Sequence, residues 1–481
     1  MGVLSNHEPK NVLKFFEELC QIPHGSGNEK AVSDYLKAFA LERGLSVVQD
    51  EVLNILIKKP GTPGYESSPP VILQGHMDMV EEKNADTDHV FGQDPLKLRL
   101  LGDDLYATGT TLGADNGIAV AYALAILDAQ DLAHPPLEVL ITVEEETGML
   151  GASSVDGRLF AGKRLVNIDS EEEGAFLVSC AGGARQTVKL PLTRQTPSGE
   201  AFELKVRGLK GGHSGMDIIK ERGNSIVLLG RALMLLRRNF DFTLASISGG
   251  SKNNAIPREA QAVILLTSSA EGLAEKVNSI GKILGREIET QDENFALNLE
   301  EANMPDTAFD AATTQSVLEL LNLLPNGVVS MSQDIPGLVE TSLNLGVLHE
   351  KEEILHFDFA VRSSVGSRKE MLLDKVQILG EKYGAEVVTT SSYPEWTYAK
   401  ESPLREMFVK KFEEMYGHAP KIEAIHAGLE CGILAGRIPG LDMISLGPNL
   451  YDVHTPNEHM NLESVRNVYG FLLEVLASLK S

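Results

Sequence analysis

Apolar and polar positions follow two different patterns along this chain. Between residues 9 and 20, Val12, Phe15, Phe16, Leu19 and Cys20 recur at helical spacing. A second amphipathic stretch runs over 28–43 and stops at Gly44, where a C-terminal cap belongs. Short apolar runs follow at 45–48, 54–57, 71–74, 137–143 and 165–168, and they read as strands, the later ones buried on both faces. Residues 118–129 are apolar nearly all round and predict a buried helix. Strands alternating with helices predict an α/β layered domain with a mostly parallel sheet.

After Gly183 the pattern changes. Strands are predicted at 202–206, 260–266, 343–348 and 354–362, the last two forming a hairpin around 349–353. Helices are predicted at 225–238, 273–284, 314–323 and 369–383. Strands and helices without strict alternation suggest an inserted α+β domain. The α/β pattern then returns: helix 403–416, strand 421–426, helix 431–435, strand 442–446 and helix 462–479. The predicted division is 1–186 and 394–481 for the α/β domain and 187–393 for the insert. Hinges are expected near Gly183 and Ser391.

Composition narrows the function. A chain of 481 residues is long enough for two or three domains. A net charge of −25 argues against nucleic acid or an anionic membrane as partner. The three cysteines, Cys20, Cys180 and Cys431, form no Cys-x-x-Cys pair and suit a reducing compartment. The first residues are polar and of mixed charge, so no secretion leader is expected. No apolar run is long enough to span a bilayer.

In parallel sheets, ligands gather at the carboxyl ends of strands. His76, Glu145, Glu146 and Asp169 all fall there, Asp115 falls where a loop enters a helix, and His454 comes late in the chain. Two imidazoles and three carboxylates suffice for two adjacent metals if one carboxylate bridges. Nitrogen and oxygen donors without thiolate suit zinc first, with cobalt or manganese also fitting. Two metals ~3.5–4 Å apart make a hydrolytic centre that supplies hydroxide near neutral pH. Asp78 can orient the second ring nitrogen of His76. Glu145 is free to face the water, taking its proton and returning it to a leaving amine; Glu144 reads as solvated or structural.

The segments Gly75-His76-Met77-Asp78, Gly113-Ala114-Asp115-Asn116-Gly117, Glu145-Glu146-Thr147-Gly148 and Asp169-Ser170-Glu171, with His454, resemble the di-zinc metallopeptidase family that includes carboxypeptidase G2, peptidase T and the carnosinases. Similar stretches surround His213, Asn254 and Gly428, so the resemblance covers essentially the whole chain. It implies that His76 and Asp169 hold one metal and Glu146 and His454 the other. Asp115 would bridge, and the Asp115–Asn116 peptide would be cis. The insert would be a lid. His213 would stabilise the oxyanion, Asn254 and Arg362 would bind substrate, and Gly428 would lie near the substrate carboxylate. Glu430 stands open between a polar core contact and a contact to the substrate amine, and His426 is equally open. The implied reaction is hydrolysis of unblocked dipeptides in the cytoplasm, favouring a C-terminal histidine and including β-Ala-His, by a homodimer. An Asp at position 169 goes with this dipeptidase branch. A carboxypeptidase or an N-acyl amino acid deacylase is the alternative on the same scaffold.

Overall fold

A computed structural model of the protein describes residues 2–480. The chain forms two compact units. One comprises the chain up to Ser179, Tyr398–Ala424 and the stretch from Leu429; the other comprises Cys180–Thr397 and Ile425–Gly428. The short return of Ile425–Gly428 to the second unit was not expected, because nothing in those four residues distinguishes them from their neighbours.

The first unit is built on an eight-stranded sheet. Its spatial order is Ser46–Gln49, Ile55–Lys59, Leu137–Thr142, Val71–His76, Arg164–Asn167, Asp442–Ser445, Ala175–Cys180 and Lys421–Ile425. Val71–His76 pairs in parallel with strands on both sides, and Arg164–Asn167 pairs in parallel with Asp442–Ser445. The flank containing Ile55–Lys59 and the pairing of Ser445 with Leu177 are antiparallel. Every residue of Val71–His76 and Leu137–Thr142 is buried, which explains why these central strands read as mostly apolar runs rather than as an alternation. Gln74 among them finds partners on neighbouring elements. Asn167 Nδ2 donates to Gln74 Oε1 at 2.6 Å, and Gln74 Nε2 donates to Glu430 Oε2 at 2.5 Å. Register sets His76 opposite Thr142, so adjacent strands end at one level. The helix Ala114–Asp128 buries nearly its whole length, with Tyr122 Oη donating to Val465 O at 2.8 Å. Phe15, Phe16, Phe176 and Phe408 are fully buried around it and the C-terminal helix Leu462–Ser478, each burial being worth ~1.5–3 kcal/mol.

The second unit is an antiparallel sheet of nine strands. The order is Ala296–Glu301, Glu200–Arg207, Ala260–Leu266, Phe242–Gly249, Val339–Lys351, Ile354–Ser363, Gly182–Pro191 and Glu386–Tyr393, with Gly327–Met331 paired to Val339–Lys351. Helices Ser225–Arg237, Leu273–Ile288, Ala311–Leu323 and Gly366–Lys382 bury their apolar sides in one cluster with Leu244, Phe357 and Phe359. A two-stranded ribbon, Gly212–His213 with Ala255–Ile256, stands apart from the large sheet.

Three features differ from expectation. Gly183 lies inside a paired strand, opposite Arg362 and Tyr393. A Cβ there would meet Tyr393 Oη at 2.4 Å, so close approach explains the glycine. The hairpin strands reach Lys351 and Ile354, leaving only Glu352 and Glu353 in the turn, both at positive φ. The segment after Val143 is a short helix, Glu145–Gly148, entered through Glu144 at φ 49°.

Candidate metal centre

His76 ends its strand completely buried. Its Nδ1 lies 3.0 Å from Asp78 O and 3.3 Å from Asp78 Oδ1, so two acceptors fix a proton on Nδ1. Nε2 is thereby left to face Asp115 Oδ1 at 3.3 Å and Asp169 Oδ1 at 3.4 Å. On the other side, His454 Nε2 lies 3.2 Å from Asp115 Oδ2 and 2.9 Å from Glu146 Oε1. Asp115 therefore sits between the imidazoles with one oxygen toward each. Donor atoms of His76, Asp115 and Glu146 all fall within 4.8 Å of one another.

The backbone around these groups is tied down by side chains. Asp115 and Asn116 have non-helical φ/ψ (−82°, 103° and −118°, 30°), and the peptide between them is cis, as the resemblance implied. The Asn116 side chain accepts from His76 N at 3.2 Å and donates to Ile168 O at 2.6 Å, tying the strand end that carries His76 to the segment that carries Asp169. Gly75 makes room for it, since a Cβ there would lie 2.5 Å from Asn116 Oδ1. Asp78 also accepts from Glu145 N at 3.1 Å, Glu146 N at 3.3 Å and Ser26 Oγ at 2.8 Å. One carboxylate thus holds His76 and both members of the Glu145–Glu146 pair.

Glu458 was not singled out in the sequence. It is 2% exposed, and its carboxylate accepts from the amides of Leu112, Gly113, Ala114 and Asp115 at 2.7, 3.1, 2.8 and 3.3 Å. Nothing local to Tyr451–Glu458 announces this role; only the fold brings it to the loop ahead of Asp115. Glu430 belongs to the polar core: it accepts from Thr142 Oγ1 at 2.6 Å as well as from Gln74, with its other oxygen buried and unpartnered.

Charge in this cluster is one-sided. Burial opposes ionisation of the His76 ring, yet Asp169, Asp115 and Asp78 outweigh it and raise its pKa well above the usual value. Hydrogen bonds to Asp115 and Glu146 push His454 up to about 11. Burial raises Glu145 well above the ordinary carboxylate range, with Asp169 and Glu430 adding to it. Burial alone would raise Asp115 too, but its bonds with His454 and His76 hold it below the usual range. The imidazoles are drawn toward the charged form because the carboxylates demand a cation. A divalent ion meets that demand with neutral imidazoles as ligands. The Glu146 Oε1 turned toward His454 fits the same reading.

The remaining predicted site residues lie in the second unit. His213 Nδ1 accepts from Gly215 N at 3.3 Å and Met216 N at 3.2 Å, leaving Nε2 to carry the proton of the neutral ring. Burial and Arg362 lower its pKa. Arg362 donates to Tyr393 Oη at 3.2 Å, and its Nε is buried without a partner. A Cβ on Gly215 would lie 2.6 Å from His426 O, 3.1 Å from His213 Cε1 and 3.3 Å from Arg362 Nε, so the three groups converge there. Gly428 abuts the Tyr393 ring. His426 Nε2 pairs with Ser342 Oγ at 2.7 Å, and burial, then Arg362 and His213, lower its pKa to about 3. Asn254 is exposed; its carbonyl accepts from Ser214 N at 2.9 Å, beside His213.

The sequence profile of peptidase family M20/M25/M40 matches residues 72–478. The chain belongs to that family. It is 40% identical over 479 residues to the cytosol non-specific dipeptidase of Escherichia coli, covering 99% of each chain. The crystal structure of aminoacylhistidine dipeptidase from Vibrio alginolyticus superposes with a TM-score of 0.94 at 38% identity, covering 99% of this chain and 98% of that one. Aminopeptidase PepT from Bacillus cereus, at 15% identity and a TM-score of 0.57 over 99% of this chain and all of that one, shares the fold. An M20 peptidase fold thus accounts for the α/β architecture with its inserted α+β unit. No helix among the described residues is long and apolar enough to cross a membrane.

Proposed function

We propose that this M20 peptidase is a cytoplasmic di-metal dipeptidase that hydrolyses unblocked dipeptides and prefers histidine at the C-terminal position, β-Ala-His among them. The observation that carries the metal chemistry is Asp115 standing between His76 and His454, one oxygen toward each. His76 and Asp169 would hold one ion and Glu146 and His454 the other, with Asp115 shared between the two. Zinc is the ion best matched to these donors, with cobalt and manganese as substitutes. When bound, the ions polarise the scissile carbonyl and lower the pKa of water.

The chain's own groups do the rest. Asp78 keeps His76 in the tautomer that presents Nε2, and it fixes the backbone of Glu145. Glu145 takes the proton of the attacking water and gives it to the departing amine. The neutral His213, protonated on Nε2, donates to the developing oxyanion. Arg362, its Nε unpartnered among the described residues, receives the dipeptide carboxylate, helped by the backbone at Gly428; Asn254 contacts substrate from beside the ribbon. Glu430 bonds Gln74 and Thr142 through one oxygen and serves the core. Support for dipeptides and for the cytoplasm comes from the Escherichia coli cytosol dipeptidase, and for Xaa-His from the Vibrio relative. A homodimer is part of the same proposal.

The test is Glu145→Gln. The variant should retain two metal ions per chain and lose at least ~10²-fold in turnover, the lower end of what a general base contributes. Near wild-type turnover with full metal content would reject the assignment.

A further inference from the structure

The second unit carries a groove of about 660 Å³ that holds none of the residues assigned above. Its charged lining is Arg207, Lys210 and Arg258 against a single acid, Glu259, with Ser248 and Ser251 adding hydroxyls. A local excess of cations is unexpected in a chain of net charge −25. Glu259 does not neutralise it: its side chain is 67% exposed and stands 3.8 Å from Arg207 Nε. Arg207 is pre-set, its Nη1 donating to Val206 O at 2.9 Å and Ala260 O at 3.1 Å and its Nη2 to Gln261 Oε1 at 2.8 Å. Lys210 makes only an exposed 3.6 Å pair with Glu293. Arg258 has no hydrogen-bond or ion-pair partner among the described residues. A fixed fork, a free fork and a mobile ammonium around one concavity are the elements of anion recognition, and the volume lies in the range of small-ligand sites.

We propose that this groove binds a small dianion, phosphate- or dicarboxylate-bearing, and that its occupancy acts on the His213 ribbon. Gly212, Ala255 and Ile256 line the groove, and Gly212–His213 pairs with Ala255–Ile256. The Arg258 stem lies across Gly211, where an added Cβ would meet Arg258 Cγ at 2.5 Å. Gly211 stands at φ +67°, so both its backbone and its surface are committed to this arrangement. An anion that draws the Arg258 guanidinium inward displaces the stem resting on Gly211, two residues from His213. The binding claim is independent of the dipeptidase reading; the effect on turnover rests on it.

The experiment is calorimetric titration of the metal-loaded protein with glycerol phosphate and, separately, succinate, in wild type and in K210M/R258M. Methionine keeps each stem and removes the charge. Wild type should show one saturable site, filled more tightly by whichever source supplies the physiological anion, and at least ~10-fold weaker in the double variant at an unchanged melting temperature. Saturating anion should also change kcat or KM for a dipeptide at least twofold in wild type and leave the variant unmoved. Equal affinity in both proteins would place the anion elsewhere, at the metal centre or scattered. Absence of saturable binding up to about 10 mM would overturn the site. Binding without any change in turnover would overturn its action on the ribbon.

Discussion

Replacing Glu458 with alanine strands four backbone N–H groups in the loop that ends at Asp115. A buried donor left without its charged acceptor costs ~1–3 kcal/mol. The bonds to Leu112 and Ala114, at 2.7 and 2.8 Å, are short and charge-assisted; those to Gly113 and Asp115, at 3.1 and 3.3 Å, are weaker. Counting the two short bonds at ~2 kcal/mol each gives about 4 kcal/mol for Glu458→Ala. Glu458→Gln keeps one acceptor oxygen and should lose about half of that. Because the effect is local, hydrogen exchange of the Leu112–Asp115 amides is the direct assay, done with metal removed so that ligation does not mask it. Loss of about 4 kcal/mol of protection corresponds to exchange ~10³-fold faster. The glutamine variant should fall midway, and both should bind metal more weakly because Asp115 is no longer held. Unchanged protection of these amides in Glu458→Ala would refute the reasoning.

Further consequences concern orientation, substrate charge and pH. Asp78→Asn removes the carboxylate that sets the His76 tautomer and holds Glu145 and Glu146; metal affinity or kcat/KM should fall ~10–100-fold, measured by competition with a chromophoric chelator and by initial rates. Arg362→Met should raise KM for a dipeptide ~10-fold or more and leave KM for its C-terminal amide almost unchanged, since the missing group is the partner of a carboxylate. His426 is held neutral down to about pH 3, whereas the unfolded ring takes a proton near 6.5. The unfolded state therefore binds more protons across that window, so stability falls as pH drops from about 6.5 toward 3. His426→Gln should remove up to one proton from that dependence, about 1.4 kcal/mol per pH unit, seen in denaturant titrations at several pH values.

Much of the candidate metal centre could be proposed from the sequence because its residues sit in local signals. His76 ends an unbroken buried strand, and Glu145 and Glu146 follow another, so both positions are fixed by the sheet before any tertiary contact is known. Asp115 was readable as a junction residue; its non-helical backbone explains why the helical pattern begins only at Ile118. The insert was harder. The strands Gly182–Pro191 and Phe242–Gly249 begin or end in glycine and carry mixed polar residues, so they lack the alternation that marked Ala260–Leu266. Gly183 suggested a joint, and its missing side chain lets Tyr393 come close. Glu458 was invisible for another reason. Its four partners lie more than 340 residues away in sequence, and a glutamate on a polar loop gives no hint that it will be buried.

The central claim is that this chain cleaves free dipeptides with metal, and a release assay on zinc-loaded protein tests it most directly. Gly-His, β-Ala-His, Gly-Leu, a tripeptide and an N-acetyl amino acid would be offered in parallel, each with and without chelator. The account predicts cleavage of the free dipeptides, fastest for those ending in histidine, and abolished by chelator. Cleavage of the acetylated compound or the tripeptide while the dipeptides remain intact would contradict it.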